Sequence, residues 1–95
     1  MVIKIPQGRV RVIKVSNCEY LITSLFVLPD YRQKGYGKQL IELAENYVKQ
    51  HAEAAFLYVL KNTWMHSWYI GIGYSDTQSR CAKGYVLLKK KFNLN

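Results

Sequence analysis

Between Arg32 and Lys38 the chain reads RQKGYGK, with Gly35 and Gly37 one residue apart among three cations, Arg32, Lys34 and Lys38. Glycine lacks the Cβ that would hold a bulky anion away from the backbone. A helix starts at the same point: from Gly37 onward, Leu40, Leu43, Ala44, Tyr47 and Val48 recur at the i, i+3, i+4, i+7, i+8 spacing of an amphipathic helix. The first amides of a helix have no intrahelical partner and sit at the positive end of its dipole. The run Gln33–Lys38 therefore reads as an anion site, suited to phosphate. A plain strand-to-helix turn with solvated basic residues fits the same seven residues.

Two phosphate loops with stricter patterns are excluded. A Walker loop requires glycine where this chain has Arg32, and Ser or Thr where it has Gln39. A dinucleotide fingerprint requires a third glycine where Leu40 stands, and no acidic residue follows about 20 positions on at a strand end. The two cysteines, Cys18 and Cys81, have no metal-ligand spacing. They read as reduced thiols of a cytoplasmic protein.

The elements that must position this loop follow from periodicity. Val2–Ile5 and Arg9–Val15 read as strands around a Pro6-Gln7-Gly8 turn, the second alternating basic and apolar residues. Glu19–Leu28 is more continuously apolar, as a strand buried on both faces would be, and Pro29-Asp30 ends it. On the wet side of the long helix Glu45 and Lys49 stand one turn apart. Ala54–Leu60 is another apolar strand, Asn62 an N-cap for a short helix that fails around Gly71 and Gly73, and Gly84–Phe92 a last strand. A strand–helix–strand unit implies a parallel pair with a right-handed crossover, and the hairpins around it make the sheet mixed. The fold class is α/β (α+β): a mixed, mostly antiparallel sheet with a parallel strand–helix–strand core and two main helices, in one domain over residues 1–95.

Bulk properties bound the function. The formal charge of +8 implies an acidic partner: nucleic acid, an anionic protein face, or a phosphate-rich ligand. Arg9, Arg11 and Lys14, with Lys89-Lys90-Lys91 and nearby aromatics, would suit nucleic acid. A charged edge strand also serves to block aggregation, and no recognised nucleic-acid motif appears. No apolar run reaches the roughly 20 residues of a membrane helix, and the N-terminus lacks signal-peptide features.

The glycine loop does not stand alone. The stretch SLFVLPDYRQKGYGKQL resembles motif A of the GNAT superfamily of N-acetyltransferases, [QR]-x-x-G-x-[GA] after a strand ending V-x-P. Arg32, Gly35 and Gly37 match it, with Val27 and Pro29 in register. The superfamily's N-x-x-A-x-x-[FL]-Y-x-x-x-G-[FY] signature is similar to Asn62–Tyr74: Asn62, Trp68, Tyr69, Gly73 and Tyr74 fall at the right intervals, with Met65 where a small residue is usual. The ending YVLLKKKF resembles the final strand. The resemblance runs from about Glu19 to the end; the superfamily's N-terminal strand and two helices, which often build half of the acceptor site, have no counterpart.

The resemblance implies a GNAT-like acyl-CoA N-acyltransferase fold and acetyl transfer from acetyl-CoA to a primary amine, without a metal. The amine is more readily a protein lysine or N-terminus than a small molecule, and a homodimer could close the open acceptor side. The charge of +8 would suit an acceptor that is an acidic protein, a nucleic-acid-associated protein or an RNA-linked amine. Carried over by position, Leu25, Phe26 and Val27 would serve the acetyl and pantetheine groups. Arg32, Gln33, Lys34, Gly35, Tyr36, Gly37 and Lys38 would hold the pyrophosphate, and Asn62 belongs to the same cofactor set. Tyr69 matches the tyrosine that protonates the leaving thiolate. Glutamate-using members carry their base where this chain has Leu21; Glu19, two residues earlier, is the candidate base and would share that face. The alternative is a basic nucleic-acid-binding or CoA-binding interaction module without catalysis.

Overall fold

The computed structural model describes residues 1–79 and 81–92. Six strands form one sheet: β1 (Val2–Ile5), β2 (Gly8–Lys14), β3 (Tyr20–Val27), β4 (Ala54–Leu60), β5 (Ser75–Asp76) and β6 (Tyr85–Lys91), in the order β1-β2-β3-β4-β6-β5. Helix α1 spans Tyr36–Lys49 and α2 spans Trp64–Gly71. Only β3 and β4, joined through α1, run parallel; every other pair is antiparallel. The mixed sheet follows from these lengths: a few residues suffice for a hairpin, whereas a parallel return needs a crossover as long as α1.

Both helices lie on one face of the sheet. Leu40, Ile41, Ala44 and Val48 form the buried stripe of α1, packed with Val10, Val12, Ile22, Leu57 and Leu88 from the strands. Tyr69 of α2 and Tyr74 join the same cluster. Each fully buried Leu, Ile or Val in this layer contributes roughly 1.5–3 kcal/mol, so the core is the main source of stability in so small a chain. No helix among the described residues is long and apolar enough to cross a membrane.

Three local expectations are corrected. Glu45 is not on the wet side of α1: it is 4% exposed, accepts from the Tyr74 hydroxyl at 2.7 Å, and takes a second bond from Lys90 Nζ at 3.2 Å. The cap of α2 is Thr63, whose hydroxyl accepts from His66 N–H, while Asn62 adopts a left-handed φ of 64° just outside the helix. Strand β3 is not buried on both faces, for Ser24 and Phe26 are exposed. A β-bulge explains the change along it. Arg11 pairs with Thr23 but Arg9 with Phe26, so Ser24 and Leu25 together oppose Val10. Ser24 takes φ 56°. The extra residue flips the alternation: Tyr20 and Ile22 face the core before the bulge, Leu25 and Val27 after it.

Candidate functional site

β3 and β4 pair only at Tyr20–Ala55 and Leu21–Phe56, then part. β4 meanwhile stays in register with β6 along its whole length. The far half of β3 is thus left with one hydrogen-bonding side lacking a strand. Which residues point into that opening follows from the ladder. Leu28 N–H bonds to Gln7 across the β2 side, and main-chain groups alternate along a strand. Those of Val27, and of Leu25 two residues back, are therefore directed into the gap. The Val27 carbonyl is met there by Arg32 Nε at 2.9 Å.

Beyond β3, a one-turn 3-10 segment (Pro29–Tyr31) delivers the chain to α1. Two residues in the following loop hold left-handed conformations, Gln33 at φ 62° and Gly35 at φ 89°. Such a φ is unfavourable for glutamine by of order 1–3 kcal/mol and persists only where surroundings enforce it. Left-handed residues in such a turn give the conformation from which anion nests are built. Gly35 is also the N-cap of α1, and no side chain caps that terminus. The first amides of α1 consequently have no side-chain acceptor, and the first turn carries no acidic residue.

The opening between β3, the loop and α2 is a cavity of about 880 Å³. Of the residues anticipated for cofactor binding, Leu25, Phe26, Val27, Arg32, Gln33, Gly35, Gly37 and Lys38 line it. Lys34 is exposed beside it, Tyr36 turns its ring against Tyr31, and Asn62 donates its N–H to His66 Nδ1 at 3.2 Å; none of these three lines the wall. The remaining wall is Tyr31, Trp64, Met65 and Trp68, which the sequence reading did not assign to this site. Trp64 and Trp68 stand one turn apart on α2, and that i, i+4 aromatic pair was the available signal. Arg32 also lies over the Phe26 ring, 5.5 Å from its centre, so it braces the loop against the strand end. The lining contains cations and no carboxylate. A cavity with apolar walls, a cationic mouth and unpaired amides accepts an extended molecule that is apolar in its middle and anionic at one end.

The two candidate catalytic residues lie apart. Tyr69 is 6% exposed, behind the wall, with its ring edge-on to Trp68 at 5.0 Å and to Tyr74 at 5.6 Å. Burial pushes its phenol up to about 12. No hydrogen bond from that hydroxyl is found among the described residues, and no buried side-chain oxygen there lacks a partner, so the hydroxyl keeps an opening to solvent. Tyr74 differs: burial first, then its bond to the Glu45 carboxylate, holds its phenol far above the usual range. Glu19 sits at the opposite end of β3, in a turn where Ser16 Oγ donates to it at 3.1 Å. Six residue steps separate it from Leu25, about 20 Å at 3.3 Å per step. The structure does not bring Glu19 to the cavity.

Comparison with known proteins places this geometry. Residues 2–76 match the family model described as acetyltransferase (GNAT) domain. The PaiA N-acetyltransferase of Thermoplasma acidophilum, solved with coenzyme A, superposes with a TM-score of 0.77 at 23% identity, over 90% of this chain and 54% of its own. The ribosomal-protein-S18-alanine N-acetyltransferase of Escherichia coli gives 0.74 at 17% identity, over 94% and 63%. A GNAT acetyltransferase of Elizabethkingia anophelis, solved with acetyl-CoA, gives 0.77 at 14% identity, over 90% and 69%. The chain therefore spans between about half and two thirds of the length of these structures. Among curated proteins none matches the sequence significantly.

Proposed function

The chain belongs to the acetyltransferase (GNAT) domain family, and from that premise we propose that it transfers an acetyl group from acetyl-CoA to a primary amine. The observation that carries the reading is the uncapped start of α1, curled by Gln33 and Gly35, opening onto a cavity where β3 has lost its partner strand. The residues present fit the cofactor's parts. Amides of Gln33–Lys38, with Lys34 and Lys38, suit the pyrophosphate. The main chain of Leu25 and Val27 suits the pantetheine amides, between Phe26 on one side and Met65 and Trp68 on the other. Asn62 belongs to the set on family resemblance, at the rim of α2.

Acetyl-CoA supplies an activated thioester when bound. The chain's own groups then have three tasks: to orient that thioester, to give its carbonyl oxygen a donor, and to return a proton to the sulfur. Leu25 N–H is assigned as the donor. Tyr69 is assigned as the acid; burial keeps its phenol protonated throughout the neutral range. Its place behind Trp68 requires that the sulfur reach the opening at the Tyr69 hydroxyl. Glu19 is too distant to serve as base for an amine at Leu25, so the acceptor is expected to arrive neutral or to lose its proton to water.

A protein amine is the acceptor best supported. Among the described residues no helix covers the sheet face beyond the gap, which leaves room for a macromolecular substrate, and one structural relative is named for acetylating a ribosomal-protein alanine. The test is to incubate the protein with acetyl-CoA and peptides bearing a free N-terminus or a lysine, and to follow free CoA thiol and peptide mass. Thiol release matched by acetylated peptide supports the assignment. Thiol release without product, or none at all with folded protein, refutes it.

A further inference from the structure

Among the described residues, no helix covers the face of the sheet turned away from α1 and α2. On β4 the buried residues include Ala55, Leu57 and Val59, so Phe56, Tyr58 and Leu60 point the other way. Lys89, Leu87 and Tyr85 of β6 stand opposite them in that order, and Leu21 of β3 stands beside Phe56. Tyr58 is 51% exposed and Leu60 46%. Leu21, Phe56, Tyr58, Leu60, Tyr85 and Leu87 make an apolar stripe along β4 and its two neighbours.

Cations border the stripe on both sides. Lys4, Arg9 and Arg11 share this face on β1 and β2, by the pairings Lys4–Arg9 and Arg11–Thr23. Lys89 and Lys91 share it on β6. The six strands contain a single carboxylate, Asp76, and it pairs with Leu88, which belongs to the core under the helices. The basic strand and the basic tail lie more than seventy residues apart in the sequence. The fold sets them on either side of one apolar strip.

We propose that this face docks an amphipathic helix of a partner protein, apolar along its centre and acidic along both flanks. A helix laid on a sheet face is a common way for a chain to bury such a strip. Carboxylates on its flanks would meet arginine and lysine in charge-assisted hydrogen bonds. A second copy of this chain, face to face, would set like cations near one another in a molecule already at +8. Single-stranded nucleic acid would engage the cations and Tyr58, but it stacks on aromatic faces and would leave the aliphatic side chains of Ile13, Leu21, Leu60 and Leu87 uncovered. The strip therefore favours protein. Because Phe26 lies on this face and also lines the cavity, the docked helix would sit beside the proposed transfer site.

The test titrates the full chain into fluorescein-labelled helical peptides of about 18 residues, long enough at 1.5 Å per residue to cross the sheet. One peptide carries a leucine stripe with glutamate flanks, a second the same stripe with lysine flanks, and an oligouridine is the third probe. The result expected is saturable binding of the glutamate-flanked peptide alone. Arg9→Glu/Arg11→Glu should weaken it at least tenfold and invert the preference between peptides. Lys89→Glu/Lys91→Glu, on the other flank, should do the same and stands in if the first variant does not fold. Equal binding of both peptides, or none of the acidic one, overturns the proposal. So does oligouridine that displaces the peptide, or a dimer in sedimentation that Tyr58→Glu dissolves.

Discussion

Two helices begin at the rim of the same cavity, and their first turns are treated oppositely. Thr63 caps α2 with its own hydroxyl, and Asn62 N–H is taken up by His66 Nδ1. α1 begins at Gly35, which has no side chain to offer, and nothing caps it. A chain that ties off one terminus and leaves its neighbour open, with basic residues around the open one, has set aside unpaired donors for something outside itself. The capped terminus is satisfied within the chain, whereas the first amides of α1 are left for water or for the proposed ligand. The comparison can be broken by experiment, because changes at α1 should alter binding and changes at the cap of α2 should alter stability.

The largest effect is expected at Gly37. A Cβ there would stand 3.9 Å from both Trp68 Cη2 and Val27 Cγ2, so a single methyl group fits in ordinary contact. The branches of valine must go further and enter the cavity. Saturating acetyl-CoA, at about 100 times its dissociation constant, should stabilise the wild type by roughly 2.7 kcal/mol. Gly37→Val should lose nearly all of this, read as the difference between melts with and without ligand. A retained shift would make the loop a mere turn.

Tyr69→Phe comes next and separates chemistry from binding. It keeps the ring that packs against Trp68 and Tyr74 and removes only the hydroxyl, so acetyl-CoA affinity should hold while the transfer rate falls about 10²-fold, the low end for a lost general acid. The same phenol predicts a pH effect. With its folded value raised to about 12 against 10 when unfolded, the stabilisation is complete below pH 10. It is lost as pH rises from 10 to 12, because the unfolded phenol ionises first. Urea titrations across that window should show a shallower loss in Tyr69→Phe than in wild type. Identical slopes would place the phenol in water.

Thr63→Ala should do the reverse of Gly37→Val: about 1 kcal/mol off the unliganded stability for a lost N-cap, with the same acetyl-CoA dissociation constant. A binding defect there would mean that both helix starts serve the ligand. Smallest of all, Lys34→Ala removes an exposed cation beside the cavity and should weaken acetyl-CoA binding a few-fold at low salt. That difference should vanish as added salt screens the charge.

What could be read from the sequence were the features with a period or a spacing. The stripe Leu40, Leu43, Ala44, Tyr47 and Val48 sets out α1, and the glycine spacing marks its open start. The features missed depend on contacts distant in sequence or on single backbone angles. Glu45 looks like half of a surface pair with Lys49, because its true partners lie 29 and 45 residues away at Tyr74 and Lys90. Asn62 and Thr63 are both good capping residues, and only the φ of 64° at Asn62 decides between them. β5 is two residues long and offers no alternation to detect. The bulge at Ser24, which changes the face of β3 exposed at the gap, rests on one unusual φ in an apolar run. At the cavity, Trp64, Met65 and Trp68 could not be assigned to the wall, because α2 is apolar nearly all round and its pattern does not distinguish the wall from the interior.

The central claim, that the open start of α1 and the open side of β3 together form an acetyl-CoA site, is most directly tested by titrating acetyl-CoA into the wild-type protein in a calorimeter. One saturable site per chain is predicted, weakening modestly with salt as phosphate contacts require. Millimolar acetyl-CoA that produces no saturable heat and leaves the thermal melt of a folded sample unmoved would contradict it.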